Sequence, residues 1–204
     1  MICACPISLE QEAHLAAYTL LSWALHGTYG LSGSLALSRT PKGKPFLRDF
    51  PDIQFSVSHC AGMVACAVDC VETGVDVEAV RPYSERLVSR CLAPAEQEQL
   101  FRHGWGQEEA FFRFWTLKES YGKALGIGLG YPLREVSFQL GERPQCCMDG
   151  VSFIQKVINR HFILSVCRKG EPQGQTVAVL RQLPEQTGGI TYEDGPIAKP
   201  ERLG

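Results

Sequence analysis

Lys118, Glu119 and Lys123 fall inside FFRFWTLKESYGKALGIG (111–128), a stretch dominated by aromatic, aliphatic and small residues. On a helix turning 100° per residue, Phe114, Leu117, Tyr121 and Leu125 make one apolar stripe with Lys118 at its edge. Phe112, Trp115, Glu119, Gly122 and Lys123 share the other side. A glutamate and a lysine four residues apart on a solvated face contribute only a few tenths of a kcal/mol. Beside Phe112 and Trp115 the same pair reads as partly enclosed and functional. Gly122 points the same way, because a mid-helix glycine costs about 1 kcal/mol relative to alanine unless something must approach closely.

Two further stretches carry chemistry. In GVDVE (74–78) a strand would send Val75 and Val77 to one face and Asp76 and Glu78 to the other, their Cα atoms roughly 7 Å apart. Two like charges on one face repel, and a hard divalent cation such as Mg²⁺ converts that repulsion into coordination. Glu119 is the third carboxylate available. In SVSHC (56–60), Ser58 and His59 end a strand before a turn, and Lys42 and Lys44 lie a few residues upstream. Together they offer donors and positive charge to an anion. These residues alone suit a Mg²⁺-dependent phosphohydrolase as well as a group transferase.

The elements that must position these residues are legible in outline. Residues 11–30 have helical apolar spacing and end on glycine, and a basic loop, SRTPKGKPFLRD, follows. Strands are predicted at 53–59, 62–69 and 73–80, the first two close enough for a hairpin. A short polar helix begins at Pro94, and a longer one runs from about Gln107 to Leu125, stopped by Gly126. Period-two segments then return: EVSFQL, VSFIQKVI, HFILSVC and TVAVLRQL. The last residues, rich in glycine, proline and polar side chains, read as a mobile tail.

Composition narrows the function classes. With 204 residues and 45% hydrophobic content the chain can build a substantial core. A formal net charge of -2 gives no field to hold a nucleic acid or an anionic membrane. No stretch reaches the ~18 apolar residues of a membrane span, and no basic, apolar leader precedes Pro6. The nine cysteines are odd in number and form no CxxC pair, so buried free thiols in the cytoplasm are expected rather than zinc or disulfides.

The order GKP, SH, GVDVE and WTLKESYGKALGIG resembles the 4′-phosphopantetheinyl transferases of the surfactin-synthetase-activating class, over about residues 10 to 170. The resemblance implies an α+β fold of two similar halves related by pseudo-twofold symmetry, here 1–72 and 73–183, with 184–204 as the flexible tail. It implies a monomer that binds coenzyme A and Mg²⁺ between the halves and moves phosphopantetheine onto a serine of an acyl or peptidyl carrier protein. Asp76, Glu78 and Glu119 would be the Mg²⁺ ligands. Lys118 and Lys123 would contact the diphosphate, Lys44 would lie beside the adenine nucleotide, and Ser58 with His59 would meet the phosphates. Glu119 would take the serine proton, directly or through a metal-bound water, and Lys123 would stabilise the departing phosphate. Leu15 stands where the family often has arginine, so Lys42, Arg39 or His59 would have to meet the coenzyme's 3′-phosphate. A relative that only binds coenzyme A or carriers is the remaining alternative.

Overall fold

Alternating burial explains the architecture. The computed structural model describes residues 1–102, 104, 106–127 and 131–192. In β5 (Met63–Asp69) every residue is buried, with Val64, Cys66 and Val68 packed on one side and Met63, Ala65 and Ala67 on the other. A strand apolar on both faces must lie between two layers. β5 is flanked by antiparallel β4 (Gln54–Cys60) and β1 (Ile2–Pro6), and helix α1 (Ala13–Tyr29) covers one face of this sheet. The other face meets a second antiparallel sheet in the order β6 (Thr73–Ala79), β10 (Phe162–Lys169), β9 (Val151–Ile158). Helix α4 (Gln107–Leu125) covers the far side of that sheet, giving the layers helix, sheet, sheet, helix.

The two sheets meet where β4 runs beside β6. Ser56 and Ser58 lie two apart on one face of β4, and their hydroxyls accept the amides of Val75 (3.0 Å) and Val77 (3.2 Å). These hydroxyls satisfy edge amides of β6 that no neighbouring strand takes. On β6, Val75 and Val77 join the core between the sheets, which sends Gly74, Asp76 and Glu78 toward α4.

Helix α4 is held against this face at three points. Thr116 Oγ1 lies 2.8 Å from Ser165 Oγ on β10. Near the C-terminal end, a Cβ at Gly74 would stand 2.0 Å from Ser120 O and 2.3 Å from Ala124 N, so only glycine lets helix and strand approach so closely. At the end itself Gly126 adopts φ 66°, and the ammonium of Lys44 donates to Ala124 O (2.8 Å) and Thr73 O (3.3 Å). A cation there complements the helix dipole. Gly74→Ala is therefore expected to destabilise the fold by about 3 kcal/mol, since the clash is with backbone that cannot rotate away. Denaturant unfolding measures it, and a loss below ~1 kcal/mol would mean the helix is free to retreat.

The C-terminal segment departs from the sequence reading. After β10 the chain returns to the first half, where β11 (Val177–Val179) pairs parallel with β1. β12 (Ile190–Tyr192) pairs parallel with β2 (Leu35–Arg39), and the Tyr192 and Tyr18 hydroxyls lie 2.5 Å apart. The expected tail from 184 is thus docked through Tyr192, and residues 193–204 lie outside those described. The half assigned to 73–183 likewise gives up its last strand to the first sheet. The basic loop is also ordered: β2 pairs with β3 (Pro45–Leu47) as a hairpin with Lys42 exposed at its turn. These short pairings are non-local, so local periodicity does not report them.

Candidate active site

The polar centre of the molecule is built where β4, β6 and α4 converge. Lys123 Nζ donates to Asp76 Oδ1 at 2.7 Å and to Ser58 Oγ at 2.9 Å, and Ser58 Oγ in turn donates to the same Asp76 oxygen at 2.8 Å. Glu119, one turn before Lys123, shares this surface. Its carboxyl is pushed up to about 7 by burial first, then by the charge of Asp76, with Lys123 opposing and Glu78 adding to the rise. Burial and Asp76 also raise Glu78, against the pull of Arg81 and Lys123. Arg81 holds Glu78 Oε2 at 2.7 Å while its guanidinium lies 4.6 Å from the centroid of Phe112.

Two carboxylate oxygens here are buried without a hydrogen-bond partner, Asp76 Oδ2 and Glu119 Oε1. A buried carboxylate oxygen left unsatisfied is costly, and free carboxylate oxygens are the ligands that a hard divalent cation takes. Among the described residues no three metal-binding side chains yet converge as a closed ligand set. Glu78 is turned to Arg81 and Asp76 Oδ1 to Lys123. The donor set fits Mg²⁺, with Asp76 and Glu119 presenting the free oxygens.

Other residues singled out from the sequence lie elsewhere. Lys118 is fully buried and points away from this centre, paired with Glu96 Oε2 (2.8 Å) on α3 (Pro94–Gln99) and donating to Leu133 O and Val136 O. Its place at the edge of the core stripe sends it into the interior, which excludes the diphosphate contact expected of it. Lys44 caps α4, so its ammonium is committed to backbone carbonyls rather than to a nucleotide. Ser58 and His59 face opposite ways, as successive strand residues must. The His59 ring stands edge-on to His14 of α1 at 5.9 Å, while only Ser58 reaches the Asp76 centre. Leu125, expected in the core stripe, is 47% exposed. Phe112, expected to line the cleft, is buried in the core around α4.

Sequence reasoning missed Ser56, Arg81, Glu96 and Gly74. The alternation of serines in SVS was the available signal for Ser56, and the glycine opening GVDVE was the signal for close approach. Ser58→Ala would strip a partner from Val77 N, Lys123 and Asp76 at once. The expected loss is about 1–3 kcal/mol in denaturant unfolding; an unchanged midpoint would show that water replaces the hydroxyl.

A family model described as the 4′-phosphopantetheinyl transferase superfamily matches residues 72–178, the span that carries Asp76, Glu78, Glu119 and Lys123. The chain belongs to the 4′-phosphopantetheinyl transferase superfamily. Among curated relatives, a 4′-phosphopantetheinyl transferase of Bacillus subtilis is 32% identical over 135 residues, covering 64% of this chain and 60% of that one. The Sfp transferase of Bacillus subtilis strain 168 is 30% identical over 144 residues, covering 69% and 64%. This superfamily member thus spans somewhat under two thirds of the length of these relatives. The solved holo-[acyl-carrier-protein] synthase of Thermotoga maritima aligns over 52% of this chain and 66% of its own, at 23% identity and a TM-score of 0.43. No helix among the described residues is long and apolar enough to cross a membrane.

Proposed function

We propose that this superfamily member transfers 4′-phosphopantetheine from coenzyme A to a serine of an acyl or peptidyl carrier protein, as a Mg²⁺-dependent cytoplasmic monomer. The observation that carries the reading is the pair of orphaned buried oxygens on Asp76 and Glu119 beside the Lys123 ammonium. Asp76, Glu78 and Glu119 would hold Mg²⁺. Bound there, the ion supplies positive charge to the coenzyme's diphosphate oxygens. Glu119, as the carboxylate, accepts the proton of the carrier serine, directly or through a water, as the serine oxygen attacks phosphorus. Lys123 then faces the leaving adenosine 3′,5′-bisphosphate and offsets its developing charge. Ser58 keeps Asp76 and Lys123 in register while this happens. Lys42, Arg39 or His59, the last with its ring edge-on to His14 of α1, would meet the coenzyme's 3′-phosphate. The nine free cysteines accord with a reducing compartment.

The test is intact-protein mass spectrometry of apo carrier protein incubated with this protein, coenzyme A and Mg²⁺, beside a sample with EDTA. A single phosphopantetheine added only when Mg²⁺ is free is the expected result. Several apo carriers left unmodified at saturating coenzyme A would refute the transferase reading, and transfer undiminished by EDTA would refute the metal site.

A further inference from the structure

Beside α1, away from the carboxylate centre, a second cluster of side chains is completed by the C-terminal strand. The His14 ring of α1 lies 4.9 Å from Tyr18 and 5.9 Å from His59 of β4. Tyr18 in turn meets Tyr192 of β12, edge to face at 6.1 Å and hydroxyl to hydroxyl. In the parallel pairing of β12 with β2, Tyr192 stands opposite Leu37, so it shares a sheet face with Leu37 and with Arg39 two residues further on. The Arg39 guanidinium lies over the Tyr192 ring, 4.6 Å from its centroid, and donates to Gly43 O at 2.9 Å across the β2–β3 turn. That bond uses one of its five N–H donors. Burial lowers the His14 pKa, Glu12 opposes, and the charge of Arg39 adds to the fall, so guanidinium and imidazole share one electrostatic neighbourhood.

We propose that Tyr192 is a positioning residue that holds Arg39 for the 3′-phosphate of the coenzyme, so that β12 sets the preference for coenzyme A over its 3′-dephospho form. The inference rests on the transferase reading above, in which Lys42, Arg39 or His59 meets that phosphate. Lys42 is exposed at the tip of the β2–β3 turn, whereas Arg39 is held at two points, by the Tyr192 ring and by Gly43 O. A long side chain that must be ordered when the ligand arrives weakens binding by the freedom it loses. One already stacked on an aromatic ring has lost much of that freedom beforehand. The guanidinium is also the head group whose planar fork matches a phosphate with paired N–H donors. The hydroxyl contact with Tyr18 fixes the Tyr192 ring against α1, which ties the strand, the arginine and the two histidines into one unit.

The experiment titrates the full-length protein calorimetrically with coenzyme A and with 3′-dephospho-coenzyme A. Wild type is expected to bind coenzyme A about tenfold more tightly than the dephospho form. Tyr192→Leu should weaken coenzyme A about fivefold and leave the dephospho form within about twofold. Tyr192→Phe keeps the ring and should stay close to wild type for both. Arg39→Gln should remove most of the preference, and adding Tyr192→Leu to it should change nothing further, because Tyr192 acts through Arg39. Tyr192→Ile, which suits a strand, takes the place of the leucine variant if that one does not fold. Equal weakening of both coenzymes would make Tyr192 a structural residue and overturn the proposal, as would no weakening of either. A wild type that modifies carrier protein but does not distinguish the two coenzymes overturns it and leaves the transferase reading intact. A wild type that shows the preference and its loss in the variants, yet modifies no carrier, supports the assignment of Tyr192 and sinks the transferase reading alone.

Discussion

Glu119→Gln is expected to lower carrier modification by about a thousandfold, the scale of a lost general base, while leaving the folded protein as stable as the wild type or more so. The two halves of this expectation come from one cause. The folded carboxyl is raised to about 7 from 4.5 by burial and by the charges of Asp76 and Glu78. A carboxyl whose folded pKa lies above its unfolded one binds its proton more tightly in the native state. It therefore favours folding below about pH 4.5 and loses that contribution as the pH rises toward 7, where ionisation must be forced on a buried group. The amide carries no charge to force. In EDTA, wild-type stability should fall between about pH 5 and 8 by up to roughly 3 kcal/mol on account of this group, and the variant's profile should be flatter. Added Mg²⁺ should raise the melting temperature of the wild type at pH 8 more than that of the variant, because the ion binds the native carboxylates. Denaturant unfolding across pH, with and without Mg²⁺, reads all of this. A variant that keeps full transfer activity would place the base elsewhere, and one that unfolds would make Glu119 a structural residue. A group that destabilises the apo fold and is nonetheless needed for turnover is the signature of a functional site.

How much of this was legible beforehand follows from the range of each signal. The 3.6-residue period and Gly126 fixed α4 as a helix from Gln107 to Leu125, and the two-residue period of GVDVE fixed which way Asp76 and Glu78 point. Both are local properties, and the central trio of Asp76, Glu119 and Lys123 followed from them. The same period, read one residue further, separates Ser58 from His59, a consequence that proximity in sequence obscures. Lys118 was ambiguous on the wheel because an edge position faces either core or cleft. What decides it is Glu96, on a different helix and 22 residues earlier. Lys44 depends in the same way on the end of a helix 80 residues away. The docking of Ile190–Tyr192 beside β2 had no local signal at all, since three residues in a glycine-rich segment show no period.

The pairing of Lys118 with Glu96 makes the second large effect calculable. Lys118→Met leaves Glu96 buried without its cation, and Glu96→Leu leaves a buried ammonium; either should cost about 3–5 kcal/mol. Burial pushes Glu96 up and Lys118 down, and each relies on the other to remain charged. An isolated buried pair can often be replaced by apolar residues at little cost. This pair is not isolated. Glu96 also accepts the amides of Ala93 (2.7 Å) and Phe138 (2.9 Å), and Lys118 also donates to Leu133 O and Val136 O. Removing both side chains leaves those two amides and two carbonyls without partners in the interior; at about 1 kcal/mol each, their summed cost is close to that of one single variant. The double variant is therefore expected to be about as unstable as either single variant, far short of the sum and far from wild type. Guanidinium unfolding of the four proteins measures the cycle. A double variant near wild-type stability would mean that the pair merely neutralises itself; the full sum would mean that the two residues act independently. Activity separates this structural role from ligand binding. In the folded fraction of Lys118→Met, the KM for coenzyme A should stay within about twofold of wild type, because removing a residue that touches no substrate leaves ground-state binding intact. A large rise in KM would return Lys118 to the diphosphate and overturn the placement of its ammonium against Glu96.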